Sequence, residues 1–328
     1  MAAAQPQWFA ERVPLGRTDV TVTRLGLGTA PLAGLYAEVV DDQAAATHEA
    51  AWAAGIRYFD TAPHYGAGLA ERRLGTFLAG RPRAEVAVST KVGRLLVPGE
   101  TPPGGEGFFY DDPGVVRVRD YSAEGVYRSL SESLERSGLD SFEIVLIHDP
   151  DDHWEEAVTG AYPALERLRA EGAVRAIGAG MNQTAMLSRF VAETDVDCVL
   201  VAGRYSLLDR SAADDLLPLC GKRQVGVIVG GVFNSGILAN PVPGAMYNYF
   251  PASEEVLRRA RALAARCAEH GVALAAAALR FPLRHPAVTT VVVGARSPRE
   301  VAENTAHATA VIPEALWAEL DGLDDAAP

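Results

Sequence analysis

The chain has 328 residues, 48% of them hydrophobic and 22% charged, a balance that excludes an extended disordered polypeptide. Its net charge of −12 argues against a nucleic-acid footprint, which would be basic. The longest apolar runs, near residues 225–233 and 271–279, fall far short of the roughly 18–20 residues that a membrane span needs.

Short β-branched apolar runs alternate with longer helical patterns along the chain. Residues 12–25 show strand alternation around a Gly-Arg-Thr-Asp turn and predict a hairpin. A strand at 25–27 follows. An alanine-rich helix spans 42–54, with Asp41 or Asp42 as N-cap and Gly55 as its stop. Strands are expected at 58–60, 86–91, 144–148, 176–180, 198–202, 225–229 and 290–293. Helices are expected at 69–78, 122–137, 154–171, 184–193, 212–222, 253–270, 274–283, 298–308 and 314–322. That makes eight strand–helix periods without an obvious linker, which predicts parallel strands with right-handed crossovers. Closure into one (β/α)8 barrel is favoured over a doubly wound sheet, so residues 1–328 are expected to form a single domain with its core at about 15–309. The long irregular stretches 92–121 and 230–252 are rich in Gly, Pro and aromatics, and fall after strands 3 and 7 on the catalytic face.

Three cysteines, Cys198, Cys220 and Cys267, are odd in number and widely spaced, giving neither a disulfide framework nor a zinc spacing. The N-terminal stretch MAAAQPQWFAERVPLG has no basic start followed by an apolar run, so a reducing cytoplasm is the expected setting.

Chemistry in such a barrel sits at the C-terminal ends of the strands. Strand 2 ends in Asp60, inside DTAPHYG, which also carries Tyr65; strand 3 ends in Lys91 and strand 4 in His148. An acid, a phenol, an ammonium and an imidazole thus meet on one rim. A phenol titrates near 10, and a neighbouring ammonium is expected to lower that value. Asp60 can hold Lys91, and His148 can hydrogen-bond a reacting oxygen, as proton transfer at a carbonyl or alcohol requires.

DTAPHYG, STK, LIHDPDD, GAGMNQ, AGRYSLLDR and VVVGARSPREVAENT occur in the order found in the aldo-keto reductases, and the chain resembles that family over roughly 15–309. The segments IHDPDDHWEEAVTGAYPALERLRAEG and GAGMNQ resemble its aldose 1-dehydrogenase branch. The resemblance implies a tetrad of Asp60, Tyr65, Lys91 and His148, with Tyr65 as the acid or base. It also implies oxidation of the anomeric hydroxyl of an L-fucose-like aldose to its lactone. The alternatives are NADPH-dependent reduction of aldehydes or ketones, and a pyridoxal 4-dehydrogenase-like activity.

No GxGxxG follows the first strand, which argues against a dinucleotide-binding sheet fold. The resemblance implies instead an NAD or NADP lying across the barrel mouth. Asn182 matches the residue that binds the carboxamide, and Tyr205 belongs to the same set. Ala202 stands where many relatives carry Gln, so Gln183 is expected to compensate. The loop GGVFNSGIL, beginning Gly230-Gly231, can offer backbone N–H groups to a pyrophosphate. Gly294, Ala295 and Glu300 replace the Lys, Ser and Arg of many NADPH-selective relatives. A carboxylate suits ribose hydroxyls and repels a 2′-phosphate, which favours NAD, although Arg296 and Arg299 share the loop. Glu303 and Asn304 match the pair that faces adenine. The expected substrate lining is Leu35 and Tyr36, His64, Phe108 to Tyr110, and residues 246–249 including Tyr247.

A metal-dependent hydrolase would use His148 and His153 near Asp149, Asp151 and Asp152. No His-x-His marks the first strand, and the acidic run reads as a helix lead-in, so no metal is expected. A non-enzymatic role is disfavoured because all four tetrad residues are present. The expected partner is a small-molecule substrate, with no nucleic acid and no membrane; the oligomeric state is not legible.

Overall fold

In the computed structural model, residues 7–100, 109 and 114–322 are described. The expected Phe108 and Tyr110 of the substrate lining lie outside that set. Strands β1 (Arg12–Pro14) and β2 (Thr21–Thr23) form the expected N-terminal hairpin. The barrel takes β3 (Leu25–Gly28), β4 (Tyr58–Asp60) and β5 (Ala87–Val92) first. A second hairpin, β6 (Arg94–Pro98) and β7 (Val115–Arg119), then projects from the rim. The barrel continues with β8 (Ile144–His148), β9 (Ala176–Met181), β10 (Cys198–Ala202) and β11 (Gly226–Gly230). A short ribbon, β12 (Met246–Tyr247) with β13 (Phe250–Pro251), precedes the last barrel strand, β14 (Val288–Gly294).

The eight barrel strands run in chain order, and β14 pairs in parallel with β3 to close the barrel. Their sequences explain why both faces are covered: IVLIH and GVIVG are buried at every position. One core fills the space between strands and helices. A smaller one fills the barrel itself, where Tyr58, Leu146, Leu200 and Ile228 meet Leu15, Val20 and Val22 of the first hairpin. That hairpin plugs the N-terminal end of the barrel. Gly16 has φ +57°, and a Cβ there would lie 2.4 Å from the Gly226 nitrogen at the start of β11.

Four details depart from the expectation. The stretch after strand 3 contains the β6–β7 hairpin, and the stretch after strand 7 contains the β12–β13 ribbon. Val40 rather than Asp41 or Asp42 precedes the helix Asp41–Ala53. Asp41 pairs with Arg73 of the next helix at 2.5 Å instead. The helix expected over 154–171 carries a π segment at Ala157–Ala161. There Gly160 packs on the backbone of Tyr121, 2.6 Å from where a Cβ would sit. Among the described residues no single helix is long and apolar enough to cross a membrane.

Candidate active site

Parallel register places the predicted acid–base residues on one rim. Asp60 pairs with Ser89 across β4 and β5, Lys91 with Leu146 across β5 and β8, and His148 with Gly180 across β8 and β9. Tyr65 follows β4 on a tight turn closed by its N–H to the Ala62 carbonyl, 3.1 Å. Gly66, at φ +56°, leaves no room for a side chain, since a Cβ would stand 2.4 Å from the Ala33 carbonyl oxygen.

Lys91 is buried and donates to both carboxylate oxygens of Asp60, each at 2.8 Å, and to the Thr61 carbonyl at 3.0 Å. Ser89 donates to the same carboxylate at 2.7 Å. The ammonium lies 4.7 Å from the centroid of the Tyr65 ring. The phenol is pushed well above its usual value, first by burial, then by the Asp60 and Asp149 carboxylates, with Arg94 opposing. The net direction is opposite to the expected lowering by Lys91: burial and the two carboxylates prevail, so Tyr65 rests as a protonated acid.

His148 is buried, and its imidazole is held well below its usual value by burial, Lys91 and Arg94. It is therefore neutral and stands edge-on to Tyr65, ring centroids 5.9 Å apart. His64 is also neutral, pushed down to about 2 by burial and then by Arg94 and Arg117. Its carbonyl accepts from Arg117 Nε at 3.0 Å and Nη2 at 2.9 Å. Phe109 stacks on Tyr65 at 6.0 Å and meets His64 edge-on at 5.2 Å.

Tyr65 and Phe109 lie in a cleft of about 1490 Å3 that runs across the barrel mouth to Arg296, Arg299, Glu300, Glu303 and Asn304. Gly230, Gly231, Gly294, Asn182 and Tyr36 also line it. Tyr36 reaches across to donate to Ser235 Oγ at 3.3 Å. The cleft exceeds the roughly 300–1,000 Å3 of common small-ligand pockets. Glycines floor it where side chains would intrude: a Cβ on Gly294 would lie 2.5 Å from Pro31. Length, backbone access and polar ends suit an extended nicotinamide dinucleotide.

Other expected positions fall elsewhere. Gln183 is exposed at the start of the helix Thr184–Glu193 and does not line the cleft. Tyr205 is turned away and packs on Phe281 at 5.1 Å, among hydrophobic neighbours of the outer core. Tyr247 packs against the outer core, while Met246, and Asn248 and Tyr249 at the positive-φ turn of the ribbon, line the cleft. His64 stands behind Phe109 rather than on the wall.

Asn234 lines the cleft and was not expected, and Asn248, within the expected 246–249 stretch, lines it as well. Asn182 donates to the Ala202 carbonyl at 2.7 Å, and Asn234 to the Gly203 carbonyl at 3.1 Å. A Cβ on Gly203 would lie within 3.5–3.9 Å of the amides of Asn234, Asn248 and Asn182. The amides beside the Ala202–Gly203 strand end are thus asparagines from the following loops, not Gln183. Their only sequence signal is a polar residue in each Gly- or aromatic-rich loop, FNSG and MYNYF.

Comparison with known proteins agrees with this geometry. A sequence profile of the aldo/keto reductase family matches residues 24–325. The chain is 44% identical to a D-threo-aldose 1-dehydrogenase of Pseudomonas sp, over 92% of this chain and 94% of that protein. It is 42% identical to a pyridoxal 4-dehydrogenase of Microbacterium luteolum, over 95% and 96%. Among solved structures, an aldo-keto reductase from Bacillus halodurans in its holo form superposes with a TM-score of 0.77 at 24% identity, covering 95% of this chain and 96% of that one. The barrel, the rim and these similarities establish that the chain belongs to the aldo/keto reductase family and is an NAD(P)-dependent oxidoreductase.

Proposed function

We propose that this enzyme oxidises the anomeric hydroxyl of an aldose to its lactone, with NAD as the preferred cofactor. The observation that carries the reading is the Tyr65 phenol, set over the Lys91–Asp60 pair in a cleft that continues to the Arg296–Glu300 end. The similarity to D-threo-aldose 1-dehydrogenase supports the substrate class.

When bound, a nicotinamide supplies the ring that accepts hydride from C1 of the sugar. The chain's own groups manage the proton and the geometry. Tyr65 exchanges the proton with the reacting oxygen, as base in oxidation and as acid in reduction. Lys91, fixed by Asp60 and Thr61, supports the ring from its face. Neutral His148 contributes one hydrogen bond and no net charge, which orients the oxygen without holding an alkoxide too tightly. Phe109 and Tyr249 line the cleft beside Tyr65 and supply apolar ring surface there.

NAD is favoured by the pairing at the far end of the cleft. Glu300 accepts from the Arg296 N–H at 2.8 Å and lies 3.4 Å from its guanidinium, while Glu303 stands 3.5 Å from Arg299. A 2′-phosphate would meet arginines already faced by carboxylates.

Initial rates of NADH and NADPH formation across L-fucose, L-galactose, D-arabinose, D-glucose and pyridoxal test the reading. Efficient oxidation confined to aldoses of one ring configuration is expected. Turnover of pyridoxal alone, or of simple aldehydes in reduction with no sugar oxidised, would overturn it.

A further inference from the structure

We propose that Arg94 and Asp149 form a hydroxyl-recognition site beside the tetrad, which makes the enzyme select a polyhydroxylated substrate over a simple aldehyde. The proposal rests on the aldose reading above and names the residues that would enforce it.

Asp149 directly follows His148, and its backbone has φ +43°, a conformation that non-glycine residues rarely adopt. The bend is fixed by the Asp149 N–H to the Gly180 carbonyl at 3.0 Å. The Tyr121 hydroxyl adds to it, lying 2.8 Å and 2.7 Å from the carbonyl oxygens of His148 and Asp149. This bend places the carboxylate against the tetrad, with Oδ2 3.5 Å from His148 Nε2, beside the cleft rather than among the residues that line it. Arg94, at the start of β6, meets the same oxygen through Nη2 at 2.8 Å.

The pair is open where the other rim pair is sealed. The side chains of Arg94 and Asp149 keep 14% and 27% of their surface accessible, against 1% and 5% for Lys91 and Asp60. Their hydrogen-bonding capacity is incomplete as well. Among the described residues Asp149 Oδ1 has no hydrogen-bond partner. Among the described residues Arg94 Nε, His64 Nδ1 and His148 Nδ1 are buried without hydrogen-bond partners. Buried polar atoms are ordinarily satisfied, so this corner calls for a polar ligand or water.

The chemistry of the corner matches a row of hydroxyls. A carboxylate only accepts and a guanidinium only donates, whereas each sugar hydroxyl does both. Phe109 and Tyr65 line the adjoining cleft and offer apolar ring surface to the C–H face of a sugar. A simple aldehyde has one oxygen, which Tyr65 and His148 take, and nothing for Arg94 or Asp149. Sites built to hydrogen-bond a hydroxyl discriminate strongly against ligands that lack it.

The competing explanation is a latch that ties the β6–β7 hairpin to the barrel. Initial rates of the full-length enzyme separate the two, using oxidation of L-fucose and of propan-1-ol, both with NAD, so that a change in Tyr65 acidity affects both alike. The quantity compared is the ratio of the two kcat/KM values. Asp149→Asn is expected to lower that ratio by about tenfold to a hundredfold, mainly through the KM for L-fucose. Arg94→Lys keeps the charge but loses the planar fork, and should lower it in the same direction if Asp149→Asn does not fold. An unchanged ratio, even with both rates reduced, would overturn the proposal and leave the latch. Failure of the wild-type enzyme on every aldose is visible before any variant is made, and would overturn the aldose reading and the proposal together.

Discussion

The Lys91 ammonium lies 4.7 Å from the centroid of the Tyr65 ring, yet its hydrogen bonds run to Asp60 and Thr61. The cation braces the ring face while its charge is neutralised one residue away. Burial then dominates, and the phenol holds its proton more tightly than a free tyrosine. The resting site is thus prepared to give a proton and must be deprotonated before it can take one.

Replacing Tyr65 with Phe removes the exchangeable proton while keeping the ring, its stacking on Phe109 and its contact with Lys91. Turnover should fall by roughly two to four orders of magnitude, the usual range for a positioned acid or base. Cofactor affinity, measured by NADH fluorescence titration, should stay within a few-fold. Near-normal turnover would remove Tyr65 from the proton-transfer role.

The pH dependence has a definite sign. Oxidation needs the phenolate, and the phenol is raised above its ordinary value, so the oxidation rate should climb with pH through the alkaline range. Asp60 is among the groups that raise it. Asp60→Asn should therefore shift the rising limb to lower pH, together with a loss of stability of about 3–5 kcal/mol from leaving buried Lys91 unpaired. A limb that stays in place, or moves upward, contradicts this account of Tyr65.

His48 is a further titratable group, buried in the helix Asp41–Ala53 and stacked on Phe77 at 5.0 Å. Burial lowers its folded pKa to about 4, against an unfolded value of 6.5. Protonation thus favours the unfolded chain. Its contribution is fully present above pH 6.5 and is lost as the pH falls to about 4, amounting to about 3 kcal/mol. Denaturant melts across that window should show the loss in the wild type and a smaller one in His48→Phe. Parallel curves for the two proteins would refute the assignment.

Glu300 faces the cleft while holding Arg296 by its backbone and guanidinium. Glu300→Arg removes the carboxylate and frees Arg296, so NADP efficiency should rise relative to NAD by about tenfold or more, the scale of one charge-assisted contact. Paired kcat/KM values for the two cofactors decide it. A wild-type preference for NADP would show instead that Arg296 or Arg299 grips a phosphate.

Much of this enzyme is legible along the chain because local patterns are physical. IVLIH and GVIVG, short, β-branched and apolar, read as doubly buried strands, and eight strand–helix periods without a linker leave a parallel barrel as the economical closure. Strand ends then name Asp60, Lys91 and His148, since the chemistry-bearing rim is set by strand direction. Periodicity reports which way a residue points within its own element, but not what it meets across a loop. The β6–β7 hairpin, the inward turn of Asp149, and the gathering of Asn182, Asn234 and Asn248 at Gly203 depend on barrel closure, which brings together segments distant in sequence. The same closure turned Tyr205 and Tyr247 away from the cleft. Charges and side-chain faces follow from distances in space, and only the tertiary structure sets those.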